Sequence, residues 1–300
     1  MSTPLTPAEL RAAATQVLTR IDQARSKTSS NWSKIAKKIS STGRSTLHSR
    51  MIDIDKVERK GTGYKFGRLA SQAYEVVNDD WGLGISVASN DIKDDLLGLY
   101  DERLDLLGKR IEQFPDDLVF QLLKDGLVEL CIDGQPFFSD THYADPNNIN
   151  AANTFDNKLA LALSVANFNT AYETMLTFPD GKGRPMGLEP THLIVPPQLR
   201  KTAKDILEAD TVSTGGTNVN KGEVQLIVEP LLANEGTRWY LISADAGFPL
   251  FVQEREALTS YVKNMPSDDC MFYDDEMQVL TKGRGEGGYG IPQRAIYSKP

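Results

Sequence analysis

The sequence predicts an α+β fold, and three features carry that expectation. Residues 7–24 and 90–111 repeat apolar side chains at three- and four-residue steps, the period of a helix with one buried face. Residues 57–88 change to glycines, aromatics and alternation, the texture of strands. Beyond residue 153, short β-branched runs alternate with helical stretches, so helices should cover a mixed sheet there. With 300 residues, 40% hydrophobic and 25% charged, the chain fits one large or two modest domains and is neither a collagen-like, a disordered nor a disulfide-scaffold protein.

Thr6-Pro7-Ala8-Glu9 is a capping box with proline at the first helical position, so a helix starts there and runs through Leu10, Val17, Leu18 and Ile21. A shorter stripe of Trp32, Ile35, Ala36 and Ile39 predicts a second helix, with Lys34, Lys37 and Lys38 outward. Each helix has only a narrow apolar face, so residues 1–48 read as an arm that cannot build its own core. Tyr64, Phe66 and Val76, a turn at Asn78-Asp79-Asp80, then Trp81 to Val87 predict a long β-hairpin with little to bury inside its own subunit. Asn90 is placed to cap a helix ending near Ile111, and close packing of another backbone is expected at Gly98 and Gly108. Pro115 is expected to open a separate helix that stops at Gly126. The polar stretch Asp140 to Asn153 marks the expected domain boundary. Ser164 then caps a helix, and strands are expected at Leu193–Val195, Val224–Val228, Trp239–Ile242, Phe248–Val252 and Met277–Leu280.

The formal net charge is -8, yet residues 1–50 hold nine Lys or Arg against Glu9 and Asp22, a local balance of +7. A basic segment on an acidic body should meet something anionic, with another copy's body favoured over DNA. A DNA-associated protein using Lys34, Lys37, Lys38 and Arg44 is the alternative reading, although Trp32 is the segment's only aromatic side chain for base stacking. No run approaches the ~18 apolar residues of a membrane span, and the N-terminus lacks a signal-peptide pattern, so a soluble, cytosolically made chain is expected.

Chemistry-bearing motifs are sparse. Cys131 and Cys270 are two cysteines in apolar company and read as core thiols; with three scattered histidines, no structural metal is expected. Asp140, His142 and Asp145 could be drawn as a metal or acid–base cluster, but a solvated or hydrogen-bonding loop histidine is favoured. Asp268, Asp269, Asp274, Asp275 and Glu276 lack calcium-loop spacing and read as a solvated face. Gly283 to Gly288 matches G-x-G-x-x-G, but Gly290-Ile291-Pro292 blocks the helix that a dinucleotide site needs, so a flexible hairpin tip is expected. No catalytic residue and no cofactor are assigned.

Several motifs in order carry a resemblance. Asn90-Asp91-Ile92-Lys93-Asp94-Asp95-Leu96-Leu97-Gly98-Leu99-Tyr100, Phe114-Pro115, Leu122-Leu123-Lys124-Asp125-Gly126, and Asp133-Gly134-Gln135-Pro136-Phe137-Phe138-Ser139 with His142 come first. Pro190-Thr191-His192-Leu193-Ile194-Val195-Pro196-Pro197-Gln198-Leu199, Glu229-Pro230, Trp239-Tyr240-Leu241 and Tyr289-Gly290 follow. Over roughly residues 50–296 the chain resembles the major head subunit gpT of Mu-like phages.

The resemblance implies the tailed-phage major-capsid fold of the HK-ninety-seven type. Residues 1–48 become the N-terminal arm, 49–88 the extended E-loop hairpin, 89–150 a P-domain with a long spine helix, 151–265 the A-domain, and 266–300 strands returning to the P-domain. It also implies a noncatalytic virion protein that assembles with other copies of itself, as hexamers and pentamers, into an icosahedral shell around double-stranded DNA on its inner face. Portal, scaffold, protease and decoration proteins are the implied further partners, with no membrane. On the residues themselves, the expected inter-subunit contacts are Leu10, Val17, Leu18, Ile21, Trp32, Lys37, Lys38, Tyr64, Phe66 and Trp81. Leu18→Asp or Ile21→Asp is accordingly expected to leave the body folded and block assembly.

Overall fold

The computed structural model describes residues 6–52, 70–94, 97–145, 153–211, 216–245 and 247–300, and of 49–52, 70–73 and 97 the backbone alone. The chain opens with helix α1 (Pro7–Lys27), a single turn α2 (Trp32–Ile35) and strand β1 (Ala36–Ser40). Strands β2 (Ser45–Ile52), β3 (Ala70–Val77) and β4 (Asp79–Ala88) precede a short α3 (Ser89–Lys93) and the long α4 (Asp101–Asp125). The two-residue strands β5 (His142–Tyr143), β6 (Thr154–Phe155) and β7 (Lys158–Leu159) lead to α5 (Val165–Thr177), β8 (His192–Val195), α6 (Arg200–Leu207), β9 (Gln225–Val228) and β10 (Trp239–Ile242). Then come β11 (Leu250–Lys263), α7 (Asp269–Tyr273), β12 (Glu276–Tyr289) and β13 (Ala295–Ser298).

Two sheets organise these elements. The first has order β1-β11-β12-β4, with β1 parallel to β11 and the other pairs antiparallel. Helices α1 and α4 cover one face: Ala13, Val17 and Ile21 meet Leu104, Leu107 and Ile111 over Val87, Met277 and Val279. The second sheet, β7-β13-β10-β8-β9, is covered by α5 and α6 on one side and by the C-terminal half of α4 on the other. Its strands alternate between two cores. Leu193, Val195, Trp239 and Leu241 point to the helices α5 and α6, while Ile194, Tyr240 and Ile242 point to Phe120, Leu123, Phe137 and Phe138. Burial on both faces is why β8 and β10 read as unbroken apolar runs.

Several expectations hold at residue level. The Thr6 hydroxyl accepts the Glu9 amide at 3.3 Å while the Glu9 carboxylate accepts the Thr6 amide at 2.7 Å, the predicted capping box. The Ser164 hydroxyl accepts the Asn167 amide at 3.2 Å, starting α5 where expected. Gly108 lies against α1: a Cβ there would stand 2.6 Å from both the Ala24 Cβ and the Ile21 carbonyl oxygen. Among the described residues, nothing lies within 4 Å of the same position at Gly98, so none of them packs against it.

Other expectations are corrected. The second arm helix is one turn only, and residues 36–40 instead form an edge strand beside β11. Ile35, Ala36 and Ile39 fit a helical and an extended period equally, and pairing with Leu250 to Glu254 decides for the strand. The hairpin has different partners: β2 pairs with β3 from Ser45↔Val77 to Ile52↔Ala70, whereas β4 leaves at Asn78 and pairs with β12. The expected helix from Asn90 begins at Asp101, after α3 and a 3-10 turn at Leu97–Tyr100. It then runs through Pro115 without a break. Proline forfeits one ladder hydrogen bond, but Ile111, Leu118, Val119 and Leu123 on either side are buried and hold the rod together.

The expected segment boundaries also shift. Strand β11, assigned to residues 151–265, belongs to the first sheet, and β13, assigned to the returning strands, belongs to the second. Strands β5 and β6 pair across the expected boundary at Asp140 to Asn153. The glycine run at 283–288 is no hairpin tip but the middle of β12. A Cβ at Gly285 would fall 2.5 Å from the Gln253 carbonyl, and one at Gly288 would fall 2.4 Å from the Phe251 ring. Those glycines admit β11 at its bulges between Glu254 and Thr259 and a phenyl ring over the strand.

Candidate assembly surface

A shell subunit would work through its surface. Leu10, Val17 and Ile21 are buried inside their own chain, and Leu18 is half-buried. Val17 and Ile21 pack within the subunit, where α4 and the first sheet supply the apolar partner that the α1 stripe requires. Full burial of such side chains stabilises by about 1.5–3 kcal/mol each. Three cations of the basic segment have anionic partners within the chain. Arg20 pairs with Asp105 at 2.6 Å, Arg25 with Glu112 at 3.7 Å and Lys38 with Glu254 at 2.7 Å.

Trp32 is half-buried against the core around Phe120 and Phe138, and its amide is held by Asp116. Lys37 is exposed on β1. Trp81 is 36% exposed, donates its indole N–H to the Gly285 carbonyl at 3.0 Å, and tilts against Phe114 with 5.1 Å between ring centroids. Tyr64 and Phe66 lie outside the described residues.

The surface carries apolar side chains that the sequence reading did not single out. Leu99 and Leu106 are 72% and 54% exposed around the start of α4, Leu47 is 67% exposed on β2, and Phe272 and Tyr273 are 73% and 78% exposed on α7. The Phe272 and Tyr273 rings meet edge to face at 5.0 Å and stand among Asp268, Asp269, Asp274 and Asp275. Two adjacent aromatics inside an acidic run are the signal that could have flagged them, since a turn built only for solvation has no use for them.

Side chains that could do chemistry serve structure instead. His142 is fully buried rather than solvated, and its partner is Asp133, not Asp140 or Asp145. His142 Nδ1 stands 2.7 Å from Asp133 Oδ2, Nε2 stands 3.2 Å from the Phe137 carbonyl, and the ring stacks on Phe155 at 4.9 Å. Asp133 also accepts the Cys131 thiol at 3.1 Å, the Gln135 amide at 3.1 Å and the Tyr143 amide at 3.3 Å. Burial alone would push its carboxyl up, but the His142 hydrogen bond and charge, with these donors, hold it below the usual carboxylate range. Cys131, Asp133 and His142 do bring possible ligand atoms within 4.8 Å of one another. The hydrogen bonds account for that convergence: Asp133 ties the turn at Gly134, with φ 77°, to β5.

A second buried carboxylate, Asp116, accepts the amides of Asn31 and Trp32 at 2.9 and 2.7 Å and pins α2 to the middle of α4. Burial raises its carboxyl above the usual range, against the pull of those two amides. Glu229 is raised for the same first reason, and Asn31 and the Leu231 amide are its donors. The acidic run at 268–276 caps the turn between β11 and β12, where Lys93 reaches Asp275 at 3.8 Å. Both cysteines are buried, as expected of core thiols. Among the described residues, no helix is long and apolar enough to cross a membrane.

Comparison with known proteins supplies what surface chemistry alone leaves open. The family of the Mu-like prophage major head subunit gpT matches residues 10–162, 155–232 and 231–300. The major capsid protein of Escherichia phage Mu is 23% identical over 303 residues, which cover 76% of this chain and 99% of that protein. A chain from the procapsid of bacteriophage JBD30 superposes with a TM-score of 0.62 at 23% identity, covering 99% of this chain and 76% of that one. One from the virus-like particle of Pyrococcus furiosus superposes with a TM-score of 0.53 at 12% identity, over 98% and 99% of the two chains. These likenesses give the fold of a tailed-phage major capsid protein. The chain belongs to the Mu-like prophage major head subunit gpT family, a structural and not an enzyme family, and is a major capsid protein that associates with its own copies into the shell of a virion.

Proposed function

We propose that this subunit builds an icosahedral shell from hexamers and pentamers, and that the β2–β3 ribbon is the extended loop reaching over a neighbouring copy. One observation carries the proposal: among the described residues, β2 and β3 pair only with each other, and they leave Leu47 67% and Val77 48% exposed. A two-stranded ribbon is marginal in water unless something covers it. The sheet β1-β11-β12-β4 with its spine helix α4 then serves as the P-domain, and the sheet β7-β13-β10-β8-β9 with α5 and α6 serves as the A-domain near the capsomer centre. Packaged double-stranded DNA lies inside, and portal, scaffold, protease and decoration proteins are its further partners. The JBD30 capsid has a form decorated with minor capsid protein trimers, which supports the last of these.

We also infer that the subunit is noncatalytic. The support is its membership of a structural family and the structural duties of Asp133, His142, Asp116 and the glycine run. Electron microscopy and sedimentation of purified protein test the proposal. Capsomers and closed shells are expected; a stable monomer at high concentration, with no shells in infected cells, contradicts it.

A further inference from the structure

We infer that Gln253 is a positioning residue that fixes the angle at which the ribbon leaves the body, and so the direction in which one copy reaches for the next. Gln253 sits on β11 and is fully buried beneath the ribbon root. Its side-chain N–H groups donate to Asn78 Oδ1 at 2.8 Å and to the Val76 carbonyl at 3.3 Å. Its Oε1 faces His48 Nε2 at 2.7 Å, and because an amide oxygen only accepts, Nε2 carries the proton. One side chain thus grips both strands of the ribbon and the residue that ends it.

The grip continues on the other side of Asn78. Its Nδ2 donates to the Ser41 hydroxyl and the Gly43 carbonyl, both at 2.9 Å, and Ser41 Oγ meets Thr46 Oγ1 at 2.8 Å. His48 and Tyr74 are cross-strand partners on one face of the ribbon. The His48 ring tilts over Phe251 at 4.3 Å, and Tyr74 packs against the central core. The ring contact of His48 with Phe251 allows one surface to slide on another, whereas hydrogen bonds, including that between Tyr74 and the Tyr289 backbone, fail steeply once misaligned. A swing of the ribbon would leave buried amide groups unpaired, so the polar root admits a latched geometry and disfavours those between. A cleft bordered by Lys37, Ile39, His48, Tyr74, Phe248 and Phe251 lies beside the ribbon root.

This inference rests on the reading of the ribbon as the piece that crosses to a neighbour, and the experiment separates the two. Nitroxide labels on Ile52→Cys, at the outer end of β2, and Phe272→Cys, exposed on α7, report their separation by pulsed electron spin resonance on dilute full-length subunit. Cys131 and Cys270 are buried and escape labelling. The parent should give one narrow distance, and Gln253→Leu should lose it in favour of a broad spread. Where Gln253→Leu does not fold, His48→Ala removes one hydrogen bond and the ring over Phe251 at a half-buried position, and Asn78→Ala opens the latch from the ribbon side. An unchanged narrow distance in these variants overturns the inference. A broad distance with shells of mixed diameter supports both readings; a broad distance with shells of parental diameter keeps the latch and removes the neighbour-crossing ribbon.

Discussion

Helix α1 and the β2–β3 ribbon carry the same sequence symptom, a face too small to make a core, but they are held in opposite ways. The α1 stripe is absorbed by its own chain: Val17 and Ile21 are at most 1% exposed, and Gly108 lets the α1 and α4 backbones close on each other. The ribbon is attached at its root and presents Leu47 and Val77 outward. A narrow apolar face therefore states that a partner is needed and not which chain supplies it. Here one piece finds its partner at home, and the other is the piece proposed to look abroad.

The largest effect that would break this contrast is Ile21→Asp, which places an unpaired charge in the core shared by α1 and α4. It should destabilise the subunit itself by about 4 kcal/mol, read as a drop in melting temperature of unassembled protein. A folded body of parental stability that merely fails to assemble would return α1 to the role of an arm. Next in size, Asp133→Ala strands the buried His142 and should cost about 3 kcal/mol in denaturant unfolding at neutral pH. Because the Asp133 carboxyl is held below the usual range, its contribution is present above that range and fades as pH falls through the lowered value, so the gap between parent and variant should close in acid.

Asp116 gives a smaller effect with the opposite pH sense. Asp116→Ala leaves the Asn31 and Trp32 amides without an acceptor and should cost about 1–3 kcal/mol, by the same measurement. Asp116→Asn keeps an acceptor and cannot ionise. Burial raises the Asp116 carboxyl, so the parent's stability from this group is full below the ordinary carboxylate pKa and lost as pH rises through the raised one. The Asp116→Asn variant should therefore gain on the parent as pH rises above the ordinary carboxylate pKa. The smallest effect on the subunit is expected from Leu47→Ser on the exposed ribbon face, within about 0.5 kcal/mol in unfolding. The same change should weaken shells against denaturant, which sharpens the contrast with Ile21.

Local chemistry was legible in the sequence wherever it depends on neighbours in the chain. The Thr6 and Ser164 caps, the Gly126 stop and the strands β8, β9 and β10 all follow from residues a few positions apart. What stayed hidden depends on pairing across long separations. Residues 276–289 read as a strand followed by a loose glycine tip because nothing local shows that β11, with its bulges, and the Phe251 ring will press on those glycines. Pro115 read as a helix start because local rules cannot see the two cores that α4 joins. His142 was noticed, but its partner Asp133 lies nine residues away across a turn. The contact surface was the least legible part, since the periodicity that flags a buried face is the same whether the cover comes from the same chain or another.

Amide hydrogen exchange, followed by mass spectrometry on free subunits and on assembled shells, tests the division between α1 and the ribbon most directly. Amides of α1 should be protected to the same degree in both states, while those of β2 and β3 beyond the root should gain protection only in the shell. Equal and rapid exchange of α1 and the ribbon in the free subunit, with both protected on assembly, would contradict it.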